Sequence, residues 1–130
     1  MRASILLGAT LLLGAAGASF ADSPGSTISP GYRISEQSGE AIYVNICQAC
    51  HMSKGEGATG AGRYPALATN ENLKAGGYVI STVLNGQKAM PPFKRLMTDD
   101  QVAAVVNYIR THFGNHYPDA VTAKDVKSER

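Results

Sequence analysis

The chain has 130 residues, of which 44% are hydrophobic and 17% are charged, and its formal net charge is +2. This length predicts a single folded domain, and the near-zero charge gives no reason to expect a nucleic-acid partner, which normally requires a strong basic excess. With three phenylalanines, six tyrosines and no tryptophan, the chain is expected to form only a modest hydrophobic core.

The first 21 residues are predicted to be a cleaved secretory signal peptide. Arg2 provides a positive start, residues 5–18 are apolar, and the small residues Ser19 and Ala21 stand where a signal peptidase cleaves. The alternative is a retained membrane anchor, but the apolar stretch is shorter than the about 20 residues that span a bilayer. We therefore expect export to the periplasm, with no stable membrane insertion after cleavage.

The mature chain is predicted to begin with a flexible arm and a first helix. Residues 22–35 are rich in serine, proline and glycine, which favours an irregular arm. A helix is predicted from Ser38, a good N-cap, to about Ala49. Its apolar stripe is formed by Ile42, Tyr43 and Ile46.

The only two cysteines lie at the end of this helix, in the sequence Cys47-Gln48-Ala49-Cys50-His51. Cys-x-x-Cys-His is typical of covalent c-type haem attachment. Two thiols at this spacing lie on nearly the same helix face, so both can bond to one porphyrin edge, and the histidine can reach the iron. A thioredoxin-like redox pair or a zinc site is less favoured, because no alternating β-branched run flanks the motif and a fourth zinc ligand is lacking nearby. We therefore predict one haem c, with His51 as an iron ligand.

A glycine-rich loop follows at residues 52–66. Four glycines within eight residues oppose regular structure, and no Gly-Lys-Ser/Thr sequence supports a phosphate site. We expect the loop to wrap against the haem edge and the Pro65 carbonyl to accept a hydrogen bond from the His51 ring. Leu67 is expected to pack on the haem, and Arg63 and Tyr64 are predicted to lie at the cofactor as well.

Two helices are predicted between this loop and residue 86. A short one covers Glu71 to Lys74, with Gly76 and Gly77 ending it. The segment from Tyr78 to Leu84 has β-branched residues that suit a strand, but its apolar residues recur at helical spacing and Asn85-Gly86 makes a good stop. We predict that this segment is a helix.

The last long helix has the clearest signals. Thr98 and Gln101 form a capping box, and Gly114 is expected to end the helix. Its apolar stripe is formed by Val102, Val105, Val106, Ile109 and Phe113. Residues 115–130 are predicted to be a tail that ends in a short helix begun by Thr122.

The second axial position of the haem iron is predicted to be filled by methionine sulfur. Met1 leaves with the signal peptide, and Met52 adjoins His51 and cannot reach the opposite haem face. Met97 directly precedes the last helix, where an apolar residue usually packs on the first turn. Met90 precedes two prolines, which make a stiff loop suited to holding a weak ligand. We therefore predict Met90 as the second ligand, which raises the reduction potential.

These residues together resemble class I cytochrome c over about Ser38 to Gly114. The residues that carry the resemblance are Gly39, Tyr43, Cys47 to His51, Pro65, Leu67, Met90, Val105, Tyr108 and Ile109. The resemblance implies an all-α class I fold in which three to five helices wrap around one covalent haem, with the N- and C-terminal helices crossing at the glycine. It also implies a cytochrome domain at about residues 36–114 that transfers electrons and is not an enzyme.

Several shorter segments are similar to small cytochromes and cytochrome subunits that accept electrons from bacterial periplasmic dehydrogenases. They are Asn85-Gly86, Ala89 to Phe93, Asn107 to Arg110, Phe113 to Asn115 and Val121 to Ala123. This similarity implies a dehydrogenase as electron donor and a terminal oxidase or another cytochrome as acceptor in a respiratory chain. The alternatives are a subunit fixed in a dehydrogenase complex, and a haem enzyme or gas-binding protein with a labile sixth ligand.

Five cations lie in the loops expected to frame the haem edge: Lys54, Arg63, Lys88, Lys94 and Arg95. They could steer an acidic partner towards the haem. They could equally be a solvated surface, with Arg63 on a haem propionate.

Overall fold

A computed structural model of the protein describes residues 32–130. The predicted signal peptide and most of the predicted arm therefore lie outside the described residues. In chain order the elements are α1 (Gly39–Ile42), a π-helical segment (Tyr43–Cys47), α2 (Gln48–His51), β1 (Ala58–Thr59), β2 (Arg63–Tyr64), a 3-10 helix (Glu71–Lys74), α3 (Gly76–Asn85), α4 (Asp99–Thr111) and α5 (Ala123–Ser128). The predicted all-α fold class is confirmed, with one two-residue strand pair as the exception.

The first helix predicted from the sequence is present as a continuous helical stretch over α1, the π segment and α2. The Ser38 hydroxyl accepts a hydrogen bond from the Ala41 N–H at 3.1 Å and so caps its start. Between the two α-helical parts, the Gln48 N–H bonds to the carbonyl of Tyr43, five residues earlier. This wider turn, whose last residue is the first cysteine of the Cys-x-x-Cys-His motif, was not predicted.

The contact between α1 and α4 requires glycine at position 39. A Cβ atom there would lie 2.2 Å from the Ala104 carbonyl oxygen and 2.7 Å from the Tyr108 Cβ. The two helix backbones therefore touch directly, which confirms the predicted crossing of the first and last long helices at this glycine.

Helix α4 begins with the predicted capping box. The Gln101 N–H donates to the Thr98 hydroxyl at 3.2 Å, and the Gln101 side-chain oxygen accepts from the Thr98 N–H at 2.8 Å. The apolar stripe is buried from Val102 to Ile109. The prediction was wrong for Phe113, because α4 ends at Thr111 and Phe113 has a positive φ of 58°. Its ring still reaches the core, 4.6 Å from the Tyr43 ring.

The segment from Tyr78 to Leu84, whose residues also suited a strand, lies in helix α3 as predicted, and Gly86 follows the last residue of this helix. The prediction that Gly76 and Gly77 end the preceding short helix was wrong, since both begin α3. The extended backbone of Ala75 ends the 3-10 helix instead. Gly76 is needed for close packing, because a Cβ there would lie 2.7 Å from Val121 in the tail.

Among residues 32–130, no helix combines the length and the apolar character needed to cross a bilayer.

Candidate haem site

Cys47 and Cys50 lie on one helical turn, and both are free thiols that are half-buried. Burial, and secondarily the neighbouring Cys50, raises the pKa of the Cys47 thiol to about 12. Cys47 is therefore a neutral thiol near neutral pH. The turn presents two sulfur atoms that can form two bonds to one edge of a planar group.

The His51 ring is oriented by the carbonyl of Pro65. Nδ1 lies 2.9 Å from this carbonyl oxygen, which is the contact expected from the sequence. Because a carbonyl oxygen can only accept, Nδ1 carries the proton and donates it to this hydrogen bond. In the neutral ring, this tautomer leaves a free lone pair on Nε2, which is the form that can bind a metal.

Gly57 brings the loop back to His51. Its N–H bonds to the His51 carbonyl at 3.1 Å, and its φ is 67°. A Cβ at this position would lie 2.3 Å from the Tyr64 carbonyl oxygen and 2.7 Å from the Ala66 nitrogen. Only glycine allows this approach, so the position of the Pro65 carbonyl depends on Gly57.

The loop also contains the short pairing of β1 with β2, in the register Ala58 with Tyr64 and Thr59 with Arg63. The expectation that the glycines exclude regular structure was therefore wrong at these four residues. The reason is a tight turn, in which the Gly60 N–H bonds to the Gly62 carbonyl at 2.8 Å. Strand β2 places Arg63 and Tyr64 immediately before Pro65.

Met52 directly follows His51 and has an unusual backbone conformation. Its φ of 65° and ψ of 167° lie in a region that normally only glycine adopts. The Tyr43 hydroxyl donates to the Met52 carbonyl at 2.7 Å and holds this peptide in place. Burial raises the pKa of Tyr43 to about 12, so the phenol remains a donor at physiological pH. Sequence reasoning missed this contact, because helical spacing predicts only that Tyr43 is buried.

Met90 lies on a separate loop that we call the Met90 segment, residues 86–97. The Gln87 N–H bonds to the Met90 carbonyl at 3.1 Å, and the Met90 N–H bonds to the Gln87 carbonyl at 2.9 Å. The turn residue Lys88 has a positive φ of 54°. A Cβ at Gly86 would lie 2.4 Å from the Met90 carbonyl oxygen. The backbone of Met90 is thus fixed by this turn as well as by the two prolines after it.

The other predicted residues occupy different environments. Met97 is 2% exposed and lies in the core, which agrees with its expected packing role. Leu67 is half-buried against the core, Tyr64 is 41% exposed, and Arg63 is exposed. No hydrogen bond among residues 32–130 joins the Met90 segment to the loop at residues 52–67.

Four of the five loop cations are exposed, whereas the half-buried Lys94 bonds to the backbone carbonyl of Arg130. His112 and His116 are exposed, and the His112 ring stacks on Tyr108 at 4.0 Å. Within residues 32–130, no group of three or more His, Cys, Asp or Glu side chains could hold a metal ion.

These side chains fit a covalently held haem. Two free thiols share one turn, an imidazole has a free Nε2, and a thioether lies on a second, stiff loop. Half-buried apolar side chains flank the core near both loops: Ile46, Leu67, Phe93 and Leu96. Binding of a flat apolar group would remove more of this surface from water. Which side chains contact the haem and its iron stays a prediction.

Comparisons with known proteins agree with this chemistry. Residues 35–109 match the family described as cytochrome C oxidase, cbb3-type, subunit III. The chain is 33% identical over 106 residues to the cytochrome c subunit of a quinone alcohol dehydrogenase from Gluconobacter oxydans (strain 621H), which covers 71% of this chain and 22% of that protein. It is 36% identical over 112 residues to the gluconate 2-dehydrogenase cytochrome c subunit of Pantoea cypripedii. This match covers 72% of this chain and 24% of that protein.

A smaller relative is matched over most of its length. The chain is 35% identical over 72 residues to cytochrome c6 of Leptolyngbya boryana, which covers 55% of this chain and 85% of that protein. By contrast, the chain spans less than a quarter of each dehydrogenase subunit.

Proposed function

The chain belongs to the mono-haem c-type cytochrome family, whose members carry electrons, and on that premise we propose that it is a periplasmic one-electron carrier with a His/Met-ligated haem. Cys47 and Cys50 are consistent with one covalent haem c. His51 and Met90 are the proposed axial ligands. We propose further that residues 1–21 direct export and are removed.

The observation that carries the ligand proposal is the hydrogen bond between His51 Nδ1 and the Pro65 carbonyl. It leaves Nε2 as the donor atom, restrains rotation of the ring and increases the basicity of the imidazole. The bound haem supplies an Fe(III)/Fe(II) couple that accepts and releases one electron. The soft sulfur of Met90 favours Fe(II), and the turn at Lys88 together with the prolines holds this weak ligand in place.

If His51 and Met90 both bind the iron, electrons would enter and leave through an edge of the haem. We propose that Arg63 and Tyr64 line this edge, as both are exposed and directly precede Pro65. The exposed cations Lys54, Lys88 and Arg95 would steer an acidic partner towards it. Partner reduction should then slow as ionic strength rises, and a flat salt response would contradict steering.

We propose a periplasmic dehydrogenase as the electron donor and a terminal oxidase or another cytochrome as the acceptor. The support is that similar proteins are named as cytochrome subunits of alcohol and gluconate dehydrogenases. The same names favour a second candidate, a subunit held permanently in a dehydrogenase complex. Purification of the native protein decides between them, because a fixed subunit elutes with a dehydrogenase in constant ratio and a free carrier elutes alone.

The experiment that tests the carrier proposal is a redox titration of the holoprotein together with exposure of its reduced form to carbon monoxide. A carrier with two protein ligands shows a one-electron transition and a low-spin spectrum that carbon monoxide leaves unchanged. A high-spin spectrum with ready carbon monoxide binding would instead support a haem enzyme or gas-binding protein.

A further inference from the structure

The last 16 residues fold back onto the domain, although they lie beyond the family match at 35–109. We call residues 115–130 the C-terminal strap. Its middle is tied to α4, because the Asn107 side chain donates to the Val121 carbonyl and accepts from the Val121 N–H, both at 2.9 Å. Its helix α5 is docked through Val126, whose side chain is fully buried.

Arg110 gives the strap a second anchor. Its guanidinium is fully buried and donates to the Leu73 carbonyl at 2.9 Å and to the Lys74 carbonyl at 3.1 Å. It also donates to the Asp119 carboxylate in the strap at 2.7 Å. A buried charge with these partners holds its place, because leaving any of them unpaired is costly. The strap therefore leaves α4 from a fixed position.

The far end of the strap contacts the Met90 segment. The Arg130 guanidinium donates to the Met97 carbonyl at 2.8 Å, and also to the Lys94 carbonyl and the Asp99 carboxylate. In return, the Lys94 ammonium donates to the Arg130 carbonyl. The Arg130 side chain is only 25% exposed in this arrangement.

Lys94 and Met97, which Arg130 contacts, are linked to Met90 by a short, stiff connection. The N–H groups of Phe93 and Lys94 bond to the carbonyls of Val83 and Leu84 at the end of α3, each at 3.0 Å. Only two prolines separate Met90 from Phe93, and their fixed φ angles leave little freedom between the two. A shift of residues 93–97 would therefore shift Met90.

We propose that the C-terminal strap positions the sixth ligand, with Arg130 as the positioning residue that holds the Met90 segment closed. This inference rests on the proposed function, in which Met90 binds the haem iron. Loss of the strap contacts increases the population of the state in which the sulfur has left the iron.

The test is imidazole binding to the ferric holoprotein with its complete strap, monitored by the loss of the long-wavelength sulfur–iron absorption band. Imidazole takes the position that Met90 vacates, so its apparent affinity rises with the population of the open state. Arg130→Gln is expected to tighten imidazole binding about fivefold, because charge-assisted hydrogen bonds at a partly exposed site are lost. Lys127→Gln, which removes the same charge from an exposed position of α5, is the matched control and should bind imidazole like the native protein.

Val126→Ala weakens the docking of α5 without changing any charge and is expected to act in the same direction as Arg130→Gln. If both variants lower the melting temperature but bind imidazole like Lys127→Gln, the strap only stabilises the fold and the inference is wrong. If the native protein lacks the sulfur–iron band, or if Met90→Ala retains it, Met90 is not the iron ligand and the inference about the strap is wrong as well.

Discussion

The hydroxyl group of Tyr43 donates a hydrogen bond to the carbonyl oxygen of Met52 at 2.7 Å. It thereby links the start of the π segment to the first residue after His51. The Tyr43 ring also lies 4.6 Å from the Phe113 ring, just beyond α4. The peptide that follows His51 is therefore held from the side of the last long helix.

Tyr43→Phe is expected to lower the free energy of unfolding by about 1 kcal/mol, because the Met52 carbonyl loses its hydroxyl donor while the ring packing remains. Denaturant unfolding of the holoprotein measures this. Tyr108→Phe is the control, since it removes a hydroxyl from the same aromatic cluster without removing a bond to Met52. Equal losses of unfolding free energy in the two variants would show that the Tyr43 hydrogen bond contributes no more stability than the Tyr108 hydroxyl.

Met52→Gly is expected to raise the free energy of unfolding by roughly 1 kcal/mol. Glycine relieves the backbone strain at φ 65° and ψ 167°, and this gain exceeds its larger loss of conformational entropy on folding. Met52→Ala keeps the Cβ and should show no gain. If alanine and glycine give the same stability, the conformation carries no strain.

Gly57→Ala is expected to lower the free energy of unfolding by more than about 3 kcal/mol, because a Cβ would overlap the Tyr64 carbonyl oxygen at 2.3 Å. The same change at Gly60, where a Cβ would meet nothing within 4 Å, should leave stability nearly unchanged. Thermal unfolding of both holoproteins compares them. A mild effect at Gly57 would mean that the Pro65 carbonyl can be positioned without this close approach.

Asp119→Asn is expected to reduce the acid sensitivity of the protein. The hydrogen bond from Arg110 holds the pKa of Asp119 below its ordinary value of 3.8. A lowered carboxyl pKa contributes stability that is present above the unfolded-state value and is lost as pH falls through the folded-state value. The native protein should therefore lose more stability than the variant below about pH 4. Glu129→Gln, a change of another exposed acid in the strap, is the control.

The features predicted correctly from the sequence have local causes. The caps at Thr98 and Thr122 are each completed by a side chain three residues later, and both capping boxes are present. The Cys-x-x-Cys-His motif and the Pro65 of the glycine-rich loop are likewise recognised from a few neighbouring residues. Such signals need no knowledge of the tertiary structure.

The features that were missed depend on contacts between distant residues. Gly76 was assigned to the end of a helix, but its neighbour is Val121, 45 residues away in sequence. A positive charge in the last turn of α4 suits the helix dipole, but nothing in the neighbouring sequence indicates that Arg110 is buried by Leu73, Lys74 and the strap. The positive φ of Lys88 was not predicted, because a turn residue with positive φ is usually glycine and the sequence has lysine here.

The long-wavelength sulfur–iron absorption band of the ferric holoprotein directly tests the proposed closed haem site with His51 and Met90 as ligands. We expect the native protein to have this band, and we expect Met90→Ala to lose it and to bind carbon monoxide when reduced. Met97→Leu, a volume-conserving change in the core, should retain it. A native protein without the band, or a Met90→Ala variant that keeps it, would show that Met90 is not an iron ligand.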